Sequence, residues 1–162
     1  MGDKMFEKIK TYAISILIAL AVGGLSAFFT RNSMNLYRDI ITPPLSPPSI
    51  LFPIVWTVLF ILMGISAAMI YLDKNASGAQ KSSALATYIL SLIVNFFWSL
   101  IFFNLRAFLF AFLWLLLLLY LVIRTIMKYY KINRVAAYLQ IPYALWVTFA
   151  GYLTFAIWYL NR

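Results

Sequence analysis

Five apolar runs, at 9–30, 50–72, 83–104, 107–128 and 135–160, take up most of the chain. A helix of about 20 such residues crosses the hydrocarbon core of a bilayer. Inside hydrocarbon every backbone N–H and C=O must find a partner within the protein, which leaves only helices and closed barrels. Long unbroken apolar runs select the helix. Hydrophobic residues make up 65% of the chain and charged ones 10%, with a mean hydropathy of +0.93, well outside the range of soluble domains. The expected fold is all-α, an integral membrane bundle of five transmembrane helices forming one domain over residues 1–162.

The start "MGDKMFEKIK" and the small residues of "GGLSAFF" also permit a cleaved signal peptide. The apolar run continues through Phe28 and Phe29, longer than a signal core, and this favours a retained span.

Thirteen Lys and Arg against four Asp and Glu give a net charge of +9. The bases sit in short gaps between apolar runs, where they anchor helix ends to headgroups. No basic face suits a nucleic-acid groove, so nucleic acid is not an expected partner. Lys4, Lys8, Lys10, Lys74, Lys81, Arg124, Lys128, Lys131 and Arg134 fall on one side of the bundle. Arg31, Arg38, Arg106 and Arg162 fall on the other. The excess places the amino terminus in the cytoplasm. Cysteine and histidine are absent, which removes disulfides, thiolate chemistry and the common metal ligands, so neither a metal nor a cofactor is expected.

The long first connection, Arg31 to Ser49, leads into the segment "ITPPLSPPSILFPIVW". Five of the six prolines fall within eleven positions there, Pro43, Pro44, Pro47, Pro48 and Pro53. Each fixes its own φ and restricts the residue before it, so the paired prolines are extended or turned. Pro53 falls in the first turn of the second span, where a missing N–H costs little. Such a segment is either a stiff joint or a lid whose shape is set before a ligand arrives. The tryptophans favour the lid. Tyr12, Tyr71, Tyr88, Tyr129, Tyr130 and Tyr138 lie near the lysine-rich side, as an interfacial belt should. Trp158 and Trp114 also fit a belt, but Trp56 and Trp98 lie about 7–9 Å inside their helix ends and Trp146 deeper.

At these residues the chain resembles the TspO/translocator-protein family, also called tryptophan-rich sensory proteins or peripheral benzodiazepine receptors, in its bacterial form. The family loop reads approximately Trp-Tyr-x-x-Leu-x-Lys-Pro-x-Trp-x-Pro-Pro. Here "LYRDIITPPLSPP" matches at Tyr37, Pro43, Pro47 and Pro48. Phe52 precedes Trp56 by four, as in the family. In the third span "NFFWSLIFF" matches through Asn95, Trp98, Phe102 and Phe103. In the fifth, "IPYALWVTFAGYL" matches through Pro142, Tyr143, Trp146, Phe149, Ala150 and Leu153. Leu36 and Leu45 replace the two loop tryptophans, and Thr42 replaces the lysine. Ser91 stands where the third span often has Gln, and Thr154 where the fifth often has Asn.

The residues alone admit plain aromatic packing or a pocket. Asn95 favours a pocket, because an amide at membrane depth is costly without a partner. The site expected under the loop contains Tyr37, Pro47, Trp56, Phe60, Asn95, Trp98, Trp146 and Ala150, with Ala150-Gly151 leaving room beside the indole of Trp146. The resemblance implies that porphyrins, sterols or synthetic isoquinoline and benzodiazepine drugs bind there. It also implies light- and oxygen-dependent breakdown of protoporphyrin IX, with the implicated tryptophans matching Trp56 and Trp146. A carrier of porphyrins or lipids without chemistry is the alternative, and a membrane scaffold a third reading. The only carboxylates are Asp3, Glu7, Asp39 and Asp73, all outside the spans, which argues against a proton-coupled transporter.

The resemblance further implies a bacterial cell membrane and a homodimer. Ala19, Gly23 and Ala27, and Gly64 with Ala68, form ridges of small residues that allow close helix contact within the bundle or between subunits. The fourth span, "LWLLLLLYL", is apolar on every side and expected to face lipid broadly. Leu153, Tyr159 and Arg162 fit a loose cholesterol pattern, for which an interfacial Tyr and a terminal Arg are the simpler explanation.

Overall fold

The computed structural model describes residues 1–162. Five helices are long and apolar enough to cross a membrane. Helix α1 spans Gly2–Thr30 and continues through a 3-10 turn at Arg31–Ser33. The first loop carries a single helical turn, α2, at Leu36–Asp39. Helices α3 (Leu51–Leu72), α4 (Gly78–Ser99), α5 (Phe108–Tyr130) and α6 (Arg134–Leu160) follow.

Helices α1 and α4 begin earlier than the apolar runs suggest, because polar residues make their first turns. At α4, Ser77 Oγ accepts from the Gln80 N–H at 3.2 Å while Gln80 Oε1 accepts from the Ser77 N–H at 2.9 Å. This reciprocal cap satisfies donors a helix start leaves free. Asn133 caps α6 through the Ala136 N–H. Helix α4 ends in a π-helical turn, Leu100–Asn104, where the Leu105 N–H reaches back to the Leu100 carbonyl at 3.1 Å.

The long helices pack in a closed ring, in the order α1, α3, α6, α5, α4 and back to α1. The small-residue ridges serve the contact of α1 with α3. A Cβ on Gly64 would fall 2.5 Å from Ile16 Cα, and one on Gly23 would strike the Phe60 ring. Ser15 Oγ donates to the Gly64 carbonyl at 2.6 Å across the same contact. Both glycines are therefore spent inside the bundle. Helix α5 turns a broad exposed face outward, through Leu109, Leu113, Leu116, Leu117, Tyr120 and Ile123, and packs its other face inward. Ala111, Leu115, Leu118, Val122, Thr125 and Tyr129 form a buried stripe, and Gly151 of α6 lies toward Leu115.

Hydrogen bonds within the bundle tie the helices crosswise. Ser66 Oγ donates to the Ala136 carbonyl at 2.7 Å, and Gln140 Nε2 donates to Ser66 Oγ at 3.3 Å. Tyr88 and Tyr129 are not belt residues. Both are buried, with ring centroids 6.4 Å apart, because they lie on the inward faces of α4 and α5. Trp114 is not a plain belt residue either, since its indole N–H donates to the Val94 carbonyl at 2.8 Å and joins α5 to α4.

Replacing a mid-helix glycine by alanine ordinarily stabilises a helix by about 1 kcal/mol. At Gly64 the Ile16 backbone reverses the sign. Gly64→Ala should lower the thermal stability of the detergent-solubilised protein by about 1–3 kcal/mol. Gly24→Ala, where a Cβ meets nothing within 4 Å, should leave it unchanged or raise it.

Candidate functional site

A cavity of about 380 Å³ opens at the proline-loop end of the ring. Its walls come from α1 (Gly23, Ala27, Thr30), α3 (Phe52, Trp56, Phe60), α4 (Asn95, Trp98) and α6 (Trp146, Ala150), with Tyr37 and Ser49 from the loop. Helix α5 contributes nothing. Sites for small ligands run from about 300 to 1,000 Å³, mostly apolar with a few polar groups, so this one lies near the small end.

Aromatic rings hold the walls in place. Trp56 stacks on Phe60 at 5.6 Å and meets Tyr143 edge-on at 6.1 Å. Trp98 stacks on Phe102 at 5.3 Å. Trp146 meets Phe52 edge-on at 5.9 Å. Such pairs are worth about 0.5–1.5 kcal/mol each beyond the area they bury.

Asn95 is already satisfied within the protein, because its Nδ2 donates to Tyr143 Oη at 2.9 Å. The reason for expecting Asn95 to need a ligand is thereby removed. The unpaired group is instead the indole N–H of Trp98, a cavity-lining residue, which is buried and has no acceptor. An unsatisfied buried donor costs about 1–3 kcal/mol.

The first loop is a strap pinned to α6. Asn161 accepts from the Ile41 N–H and donates to the Ile41 carbonyl, both at 2.9 Å. Tyr152 Oη donates to the Pro44 carbonyl at 2.9 Å. Arg106 pairs with Asp39 at 3.4 Å, an exposed pair worth at most about 1 kcal/mol. Pro43–Ser46 forms a tight turn, with the Ser46 N–H 3.3 Å from the Pro43 carbonyl and Leu45 at φ 67°. Glycine usually takes that position, so leucine there carries backbone strain. Leu36 plugs into the core with no exposed surface, while Tyr37 meets the rings of Phe52, Phe102 and Phe103. Burial pushes the Tyr37 hydroxyl up to about 12.

A sequence model of the TspO/MBR family matches residues 15–160. The chain belongs to the TspO/MBR family. It is 33% identical over 158 residues to the tryptophan-rich protein TspO of Chlorobaculum tepidum, covering 97% of this chain and 99% of that one. With the TspO protein of Archaeoglobus fulgidus it shares 36% over 148 residues, covering 91% and 94%. The translocator protein of Bos taurus is 29% identical over 152 residues, covering 93% and 90%.

Among the residues singled out in this TspO/MBR chain, Tyr37, Trp56, Phe60, Asn95, Trp98, Trp146 and Ala150 all line the cavity. Pro47 does not. The ties to Tyr152 and Asn161 draw the strap toward α6, and Ser49 and Pro53 reach the cavity instead. Gly151 leaves no room there, since it faces α5. Sequence reasoning missed Tyr143 as the partner of Asn95, though it lies three residues before Trp146 and so on a neighbouring face. It also missed the α1 wall, whose Gly23 and Ala27 were read only as a packing ridge. The cholesterol-type pattern does not form one surface. Leu153 is buried in the bundle, whereas Arg162 lies over the exposed Tyr159 ring at 4.3 Å.

Asn161→Ala removes both bonds to Ile41. Backbone amides of residues 36–46 should then exchange with deuterium about tenfold faster or more, since each bond contributes about 1 kcal/mol. The amides of α5 should be unchanged.

Proposed function

We propose that the protein binds a flat, conjugated hydrophobic molecule of the porphyrin class in the cavity under the strap. The observation carrying this reading is the convergence of Trp56, Trp98 and Trp146 from three helices on one cavity, with the Trp98 N–H lacking an acceptor. Indole faces stack on a macrocycle. No carboxylate, amine, thiol or imidazole lines the cavity, so the redox-active rings there are the indoles and the phenol of Tyr37.

Under light, an excited porphyrin takes one electron from the indole of Trp56 or Trp146 and passes it to dioxygen. The indole radical cation recovers its electron from the macrocycle, leaving a porphyrin radical cation that combines with superoxide. Dioxygen is then the net oxidant and the macrocycle the molecule oxidised. The second reading, a carrier without chemistry, is favoured by α1. That helix forms one cavity wall yet is the least buried span, so this wall borders lipid.

Purified protein titrated with protoporphyrin IX should show saturable quenching of tryptophan fluorescence. Illumination in air should bleach the Soret band faster than in protein-free detergent. Trp56→Phe and Trp146→Phe should each cut that rate about tenfold or more, equivalent to at least about 1.4 kcal/mol of barrier. Saturable binding with only the free-solution bleaching rate would leave the carrier reading. No saturable binding would sink both.

A further inference from the structure

A second cavity, of about 350 Å³, lies between α1, α3 and α4 at the opposite, lysine-rich end. It is independent of the tryptophan cavity. On α3 the tight contact at Gly64 falls between Phe60, which lines one cavity, and Ala67, which lines the other. Thr11, Ser15, Ala67, Ala68, Tyr71 and Leu85 are among its lining residues.

Two features define what it can hold. The polar side chains on the α1 wall are already used. Thr11 Oγ1 donates to the Glu7 carbonyl at 2.9 Å and Ser15 Oγ to the Gly64 carbonyl at 2.6 Å. The interior therefore offers mostly hydrocarbon contact, together with one buried hydroxyl that lacks a partner, that of Tyr88. The rim, by contrast, is cationic. Lys81 stands one turn before Leu85 on α4, and its Nζ donates to the carbonyl of the lining residue Tyr71 at 3.1 Å. Lys8 stands one turn before Thr11 on α1 and is exposed. Lys4 and Lys74 lie nearby in sequence. The neighbouring carboxylates are Asp3, Glu7 and Asp73, the last accepting from the Asn75 and Ala76 N–H groups, so against Lys4, Lys8, Lys74 and Lys81 the rim keeps a small excess of positive charge.

We propose that this cavity is a site for one anionic glycerophospholipid of the adjoining leaflet, with an acyl chain between α1, α3 and α4 and the phosphate on Lys8 and Lys81. An ammonium has three donors, so Lys81 can keep the Tyr71 carbonyl while contacting phosphate. An apolar slot alone would take any acyl chain. The lysines select the charge.

The test is native mass spectrometry of the full chain released from nanodiscs containing equal phosphatidylglycerol and phosphatidylcholine. The wild type should retain one phosphatidylglycerol molecule in preference to phosphatidylcholine. Two lysines near a membrane surface are together worth a factor of about 30 for an anionic headgroup. Lys8→Gln/Lys81→Gln should therefore lower that preference about 30-fold. Both residues lie on the outer turns of their helices, so the fold should survive, and unchanged porphyrin quenching at the far cavity would report it. Ala68→Leu narrows the slot and should lower retention of both lipids. Equal retention of the two lipids by the wild type would overturn the proposal. So would a preference unaltered by the double substitution, or retention unaltered by Ala68→Leu in a variant that keeps wild-type thermal stability.

Discussion

The approach of α3 to α1 at Gly64 determines how the interior is divided. In hydrocarbon no hydrophobic drive pushes helices together, so association rests on van der Waals contact and interhelical hydrogen bonds. The absent side chain at Gly64 and the bond from Ser15 supply both at one level of the bundle. On either side of that level a cavity remains between the two helices and α4. The bundle is thus pinched at its middle and open toward both ends, with indoles at one end and lysines at the other.

Much of this was legible in the sequence because bilayer thickness imposes a length that the apolar runs display directly. The strap was legible for a similar reason, since paired prolines restrict the backbone whatever surrounds them. Rotation of each helix about its axis was harder to read. In α5 nearly every position is apolar, so nothing in the sequence separates the buried stripe through Leu115, Leu118 and Val122 from the face turned to lipid. Tyr88 and Tyr129 were misplaced on the same account. A tyrosine near a helix end suits the interface by composition, yet these two are turned inward.

Asn95 shows both the strength and the limit of cost arguments. The amide needed a partner at membrane depth, and it has one. That partner is Tyr143, a side chain from α6 whose proximity depends on helix packing and not on local sequence. Among the indoles the group buried without a partner, the Trp98 N–H, could not be singled out beforehand because all five carry the same donor. Only Trp114 is seen to discharge it, on a backbone carbonyl of the adjacent helix.

The π-helical turn at the end of α4 contains one residue more than an α-helical turn would close. Such an insertion rotates everything beyond it by roughly 100° relative to an uninterrupted helix. Phe102 and Phe103, consecutive in this turn, each lie beside both Trp98 and Tyr37. The widened turn acts as a phase shifter between wall and roof. Losing a single residue from Leu100–Asn104 would leave the apolar character of the segment intact while setting its rings out of step with the strap.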